Sequence, residues 1–270
     1  MKTGSCSDVG RTRERNEDAL VVLRLPGSSQ PELHLLGVAD GMGGHRAGEV
    51  AAALAIDTAR KWVEDHHGPR DAEGLRALLV RLFNDAEKNV LDQARRDPSL
   101  DGMGTTLTVS LICGGMVAVG HVGDSRAYLL RGDRLEFLTE DHSVAGELIR
   151  EGTLSREEAR SHPGRNILTR ALGMQGEIEA FTGCFAVREK DWIILCSDGL
   201  TAVVSDEEIF STVKGSAEPQ EACHSLVDLA NQRGGPDNIT VVAAVIEEAD
   251  MGDRDESEPV SERRGDIVDR

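Results

Sequence analysis

Carboxylates at the ends of apolar runs are the chemically suggestive feature of this 270-residue chain. Glu17-Asp18, Asp40, Asp198 and Asp237 each flank a β-type run at a polar or glycine-rich turn, and Asp124 is a fifth point of the same kind. Asp40 ends the run Leu33 to Ala39 and is followed by Gly41-Met42-Gly43-Gly44, where bare backbone can turn sharply and come close to an ion or a phosphate. An isolated Asp-Gly reads more simply as a tight turn; five such points invite a shared role. If the strand ends converge, like charges repel one another unless a cation sits among them. Ligation by carboxylate and carbonyl oxygen alone suits Mg²⁺ or Mn²⁺ better than zinc, which favours His or Cys. Two such ions sharing one carboxylate make a site for hydrolysing phosphate esters.

The elements that must position these groups follow from hydrophobic periodicity. Residues 3–8, 19–25 and 33–40 read as strands, with the charged connection Gly10 to Asp18 between the first two. A helix from about Ala47 places Val50, Ala53, Leu54 and Trp62 on one face. A second carries Leu75, Leu78, Leu79, Leu82, Phe83, Ala86 and Val90 at helical spacing and stops before Pro98. The two are expected to form an antiparallel pair packed on a sheet. Runs 105–113, 116–122, 127–131 and 134–138 are β-rich and joined by short turns, a meander that reads as one antiparallel sheet. Residues 141–173 form an irregular excursion with a short helix near 144–151, the pattern of a functional loop. Strands return at 178–185 and 191–196, helices at 206–214 and 219–233 (Ala222, Leu226, Leu229 and Ala230 inward), and a last strand at 239–246. One domain over residues 1–246 is expected, with an acidic, disordered tail at 247–270.

Composition narrows the partners. A net charge of −18 argues against nucleic acid and against an anionic membrane surface. No run is long enough for a membrane span and the N-terminus carries no apolar signal region. Five cysteines without CxxC spacing, two of them inside strand-like runs, point to reduced core thiols and a cytoplasmic protein.

Taken together, Ser7-Asp8-Val9-Gly10 with Arg13 and Asn16-Glu17-Asp18, Val38 to Gly44, Gly104-Thr105-Thr106, Val122 to Arg126, Ser197-Asp198-Gly199-Leu200 and Gly235 to Thr240 resemble the metal-dependent protein phosphatases of the PP2C (PPM) family, bacterial stand-alone type. The resemblance spans residues 3–246. It implies an α+β fold, a four-layer α/β/β/α sandwich of two antiparallel sheets with helix pairs outside. It implies hydrolysis of phosphoserine and phosphothreonine by direct attack of a metal-bridging hydroxide, with two or three Mn²⁺ or Mg²⁺ ions and no covalent phospho-enzyme. Position by position, the resemblance implies that Asp40 would bridge the two metals and the Gly41 carbonyl would join the second. Asp198 and Asp237 would complete the first, while Glu17 and Asp18 would act mainly through metal-bound waters. Arg13 would hold the phosphate, Asp124 with Asp198 would supply a third metal site, and residues 141–173, with His162 and Arg165, would correspond to the family's flap. The implied partners are phosphorylated Ser/Thr proteins, a Ser/Thr kinase and its targets, met by a monomer.

One departure is Met42, where eukaryotic members carry a His proposed as the general acid. Methionine has no proton to give, so a metal-bound water or another group must supply it, with His45, His142 and His162 as the neighbouring candidates. The remaining histidines are expected at the surface. Two other readings are a catalytically inactive phosphoprotein-binding scaffold of the same fold and a phosphatase of an anti-sigma-factor antagonist. The first normally loses a ligand carboxylate, and the second is usually attached to a sensor domain.

Overall fold

The computed structural model describes residues 1–27, 30–43, 47–174 and 178–250. Gly44, His45 and residues 251–270 of the expected tail lie outside the described residues. Eleven strands are described: β1 (Lys2–Asp8), β2 (Asp18–Leu25), β3 (Leu33–Met42), β4 (Gly104–Thr105), β5 (Leu107–Cys113), β6 (Met116–Val122), β7 (Arg126–Arg131), β8 (Arg134–Phe137), β9 (Phe181–Ala186), β10 (Trp192–Cys196) and β11 (Ile239–Val245). One sheet has the order β1-β11-β10-β7-β8; the other runs β2-β3-β5-β6-β9, with β4 paired to β3. Every pairing is antiparallel.

Three apolar layers hold the stack together. Between the sheets, Leu36, Val38, Val119, Leu129, Ile193, Leu195 and Val242 interdigitate. Alternate residues of the same strands point outward: Leu35, Leu111 and Ala118 face the helix pair α1 (Ala47–Glu64) and α2 (Ala72–Arg96). Three short helices follow in the chain, α3 (Val144–Arg150), α4 (Arg156–Ala159) and α5 (Asp198–Thr201); on the far side, Ile194, Cys196, Val241 and Ala243 face α6 (Asp206–Gly215) and α7 (Pro219–Gln232). β5 and β6 are therefore buried along their whole length, although antiparallel sheets often leave one face to water. The α/β/β/α layering is as expected.

Several local expectations are corrected. The meander at 105–138 is not one sheet: β5 and β6 belong to one, β7 and β8 to the other, and the turn Gly123-Asp124-Ser125 crosses between them. Helix α1 buries its alanine stripe, Ala51, Ala52, Ala55, Ile56, Ala59 and Val63, while Ala53 is exposed and Val50, Leu54 and Trp62 form only a shoulder. Small side chains let this helix approach the sheet closely, and on its shoulder Trp62 reaches α2. There, Trp62 Nε1 donates to Asp85 Oδ2 at 3.0 Å. Leu229 of α7 is partly rather than fully buried, and β9 begins at Phe181, three residues later than expected. Residues 248–250, at the start of the expected tail, form a 3-10 turn, and the Met1 amino group lies 2.9 Å from Asp250 Oδ2.

His34 and His121, expected at the surface, are buried, and so is His142. His121 takes a hydrogen bond with Thr108 at 2.8 Å and another with the Glu140 carbonyl at 3.0 Å, and its ring lies 4.7 Å from that of His142. Gly123 N–H donates to His142 Nδ1 at 3.2 Å. Burial pushes His121 down to about 4, and burial plus the neighbouring His121 pushes His142 down to about 2, so both rings are neutral and serve as internal struts.

Candidate active site

Antiparallel order brings the chemistry to one end of the sandwich. Asp18 at the start of β2 pairs directly with Asp40 near the end of β3. On the other sheet, β10 ends at Cys196 opposite Arg126 of β7, so Asp198 and Asp124 leave from the same edge. β11 starts at Ile239, one residue after the Asp237-Asn238 turn, and pairs with the end of β1. Asp198 is the first residue of a short helix, α5 (Asp198–Thr201), rather than an extension of the strand.

The carboxylates are close enough to govern one another. Asp40 and Asp198 lie within hydrogen-bonding reach, and Asp40 also feels Asp18 and Asp124. Burial, then these like charges, raises Asp40 well above the usual carboxylate range. Burial and Asp198 do the same for Asp124. Asp198 is raised by burial and by Asp237. Asp18 is pushed up to about 7, chiefly by burial, against hydrogen bonds from Thr240 and Ser197 that act the other way. Its Oδ1 is buried with no partner, while Oδ2 accepts from Ser197 Oγ at 2.8 Å. Glu17 is raised by burial, with Asp237 among the contributing charges.

Side chains without charge hold this edge together. Asp40 N–H donates to Thr106 Oγ1 at 2.9 Å, and Thr105 Oγ1 donates to the Asp40 carbonyl at 2.8 Å. Asn238 accepts from Glu17 N–H at 2.8 Å and donates to the Val9 and Arg15 carbonyls at 2.9 and 2.8 Å. It staples the charged loop of residues 9–17 to the Asp237 turn. Ser197 Oγ is shared between Asp18 and Thr240 N–H, the latter at 2.9 Å. The first turn of α1 needs Gly48, because a Cβ there would stand 2.5 Å from Glu17 Oε2. Sequence reasoning gave none of Ser197, Asn238 and Gly48 a role. The signal for the first two lay in polar residues immediately beside an Asp.

Arg13, expected to hold phosphate, pairs with Asp237 at 2.8 Å and is half exposed. Asp141 falls in the flap with no role expected of it, yet it grips the half-buried Arg126 with two hydrogen bonds, 2.9 and 2.7 Å, and fixes the flap's first residue to β7. Met42, in the last position of β3, pairs with Gly104. His142 is occupied as a strut and His162 Nδ1 accepts from Gly164 N–H at 3.1 Å, within its own turn.

The donor set fits hard divalent cations. It is all oxygen, and the carboxylates compete for protons with a buried oxygen left over. Among the described residues no group of three or more His, Cys, Asp or Glu side chains is arranged to hold an ion alone. Carbonyl and water oxygens would have to complete each shell, as Mg²⁺ favours.

A family model described as protein phosphatase 2C matches residues 11–232. The serine/threonine phosphatase stp of Listeria innocua is 38% identical over 236 residues, covering 87% of this chain and 92% of that protein. The crystal structure of the Mycobacterium tuberculosis serine/threonine phosphatase PstP/Ppp is 39% identical and superposes with a TM-score of 0.80, covering 91% of this chain and 98% of the other. The catalytic domain of PstP in complex with two manganese ions gives 0.77 at 36% identity, covering 92% and 98%. The sandwich, the convergent carboxylates and these likenesses agree: the chain belongs to the protein phosphatase 2C family.

Proposed function

We propose that this chain hydrolyses phosphoserine and phosphothreonine in proteins, with Mn²⁺ or Mg²⁺ as cofactor, as a cytoplasmic monomer opposing a Ser/Thr kinase. The observation that carries the reading is the buried carboxylate cluster with the unpartnered Asp18 Oδ1. Such a cluster stays folded either by taking up protons or by holding cations. Asp40 would bridge two ions, with the Gly41 carbonyl on the second and Asp198 and Asp237 on the first. Glu17 and Asp18 would act through intervening water, and Asp124 with Asp198 would hold a third ion. When bound, the ions supply an activated water and neutralise the phosphoryl oxygens. Burial pushes the Cys196 and Cys223 thiols up to about 12, so neither is a nucleophile, in keeping with direct attack by water.

The chain's own residues bind and orient. Thr106, Ser197 and Asn238 fix the carboxylates and cost no reorganisation during reaction. Arg13 leaves Asp237 to hold the substrate phosphate, a task for which a guanidinium fork is suited. Arg13→Ala should therefore lower kcat/KM roughly tenfold to a hundredfold, mainly through KM, the worth of a charged hydrogen bond. Unchanged kinetics on a phosphothreonine peptide would remove Arg13 from the site. Met42 carries no proton, so the leaving alkoxide would take its proton from a bound water or from another group at the site.

The direct test is hydrolysis of p-nitrophenyl phosphate and a phosphothreonine peptide with Mn²⁺, Mg²⁺ or EDTA. Metal-dependent turnover supports the reading; phosphopeptide binding without turnover under any metal would favour the scaffold.

Proton linkage supplies a second check. Asp40, Asp124 and Asp198 are raised above their ordinary range by burial and by neighbouring carboxylate charge, and burial pushes Asp18 up to about 7. A raised carboxyl stabilises the cation-free protein below its ordinary pKa, and that contribution is lost as pH rises through the folded value. Ligation needs the deprotonated form, so Mn²⁺ affinity should fall as pH drops from about 8 to 6, with proton release on binding. Calorimetry in two buffers of different ionisation enthalpy measures this, and identical heats would contradict it.

A further inference from the structure

Beside the carboxylate cluster, a cavity of about 540 Å³ runs outward from Asp124 and Asp198 between the flap and the residues before α6. Charges on the flap are sorted by this cavity. Arg150, Arg156, Arg160 and Arg165 line it, whereas Glu147, Glu151, Glu157 and Glu158 of the same segment do not.

Carboxylates elsewhere in the wall are largely spoken for. Arg126 binds Asp141 at 2.7 Å and reaches Asp206 at 3.6 Å; Arg160 approaches Asp206 at 3.6 Å, and Arg233 pairs with Glu208. Among the described residues, Arg150, Arg156 and Arg165 have no ion-pair partner, against one unpaired wall carboxylate, Glu140, outside the expected metal ligands. Two of the three are nevertheless held in place by uncharged groups. The Arg156 guanidinium sits 3.8 Å from the centroid of the Phe137 ring, and Arg165 donates to the Arg160 carbonyl at 2.6 Å and to Asn166 at 3.2 Å. These contacts position a guanidinium without cancelling its charge. On a chain of net charge −18, uncompensated arginines in one concavity, two of them anchored, make a site for an anion.

We propose that this cavity is a second anion subsite, which takes an acidic side chain of the substrate a few residues from the phosphothreonine under attack. The proposal rests on the phosphatase reading of the carboxylate cluster. Carboxylate and phosphate share the required chemistry, an oxyanion matched to guanidinium forks, and the geometry leaves either source open. The flap's arginines thereby select among phosphoproteins after Arg13 and the ions have taken the reacting phosphate.

The test uses the Mn²⁺-loaded full chain and a phosphothreonine peptide scanned with Ala, Glu, Lys or the non-hydrolysable phosphonate analogue of phosphoserine at each flanking position. At one or two positions Glu or the phosphonate should raise kcat/KM about tenfold over Ala, through KM, and Lys should lower it. A response to both residues assigns carboxylate and phosphate alike, and a response to the phosphonate alone assigns phosphate. The preference should shrink in high salt, because the rim is exposed. In the triple variant Arg150→Gln, Arg156→Gln, Arg165→Gln the Glu-to-Ala ratio should approach one. Being a ratio on one enzyme, it cancels any general loss of activity. Glu157→Gln, outside the cavity, should keep the wild-type ratio. Equal rates for Glu, Ala and Lys peptides at every position would overturn the subsite while p-nitrophenyl phosphate turnover persists. Loss of that turnover with every metal would instead overturn the phosphatase reading itself.

Discussion

Asp40→Asn should abolish metal-dependent phosphatase activity, by at least about 10³-fold in kcat, and leave the cation-free protein as stable as wild type or more so. The two halves of this expectation have one cause. Asp40 is the most connected carboxylate of the cluster, facing Asp18, Asp198 and Asp124 at once. Removing its charge removes the group proposed to join two ions, and losing a cation that supplies both water activation and charge neutralisation costs several kcal/mol of the barrier, with about 1.4 kcal/mol per tenfold in rate. The same substitution relieves like-charge repulsion in a buried setting, which favours the fold when no ion is bound. Asn keeps the shape, and the backbone hydrogen bonds to Thr105 and Thr106 do not involve the changed atoms. Thermal unfolding with EDTA and with Mn²⁺ should show wild type gaining most from the metal and the variant gaining little. A variant that retains turnover, or that loses activity by unfolding, would remove Asp40 from the centre of the site.

Much of this was legible in the sequence because the relevant signals are local. A strand, an Asp and a polar or glycine-rich turn recur in segments short enough to read by eye, and α2 announces its buried stripe through six large apolar residues and Ala86 at helical spacing. What was not legible depends on partners distant along the chain. The alanine stripe of α1 carries little hydrophobic contrast, so its true inner face emerges only once the sheet accepts a closely packed helix. The turn at Asp124 resembles the hairpin turns around it, and only the assembled sheets show that it changes layer. His34, His121 and His142 look like ordinary polar residues. For His121 and His142 burial is explained by acceptors and donors at Thr108, Glu140 and Gly123, which sequence alone does not bring together. Arg150, Arg156 and Arg165 belong to the same class: residues 144–165 mix both signs, and folding alone sorts the arginines toward the cavity.

Gly199→Ala should cost both stability and activity, for a reason that differs from the one its position first suggests. A glycine after an Asp proposed to hold a metal reads as room for an ion. In the fold, the space is taken by protein: a Cβ on Gly199 would stand 1.9 Å from the Asn238 carbonyl oxygen. That atom is backbone and its residue is tied to Glu17, Val9 and Arg15, so it has little freedom to move aside. The methyl must push the Asp198 turn away from the Asp237 turn, the two that are proposed to share one ion. Overpacking of this kind costs about 1–3 kcal/mol. A displacement near 1 Å at a catalytic constellation costs on the order of 10²-fold in rate. Denaturant unfolding should therefore show a lower midpoint with an unchanged slope, and activity should fall by about two orders of magnitude even at saturating Mn²⁺. Gly199→Ala differs from Asp40→Asn in that it keeps every carboxylate, so weakened Mn²⁺ binding here would report ligand spacing alone. Wild-type stability with wild-type turnover would mean that the two turns do not depend on their contact. The carboxylates would then be positioned by their own strands, with Asn238 reduced to a loop staple.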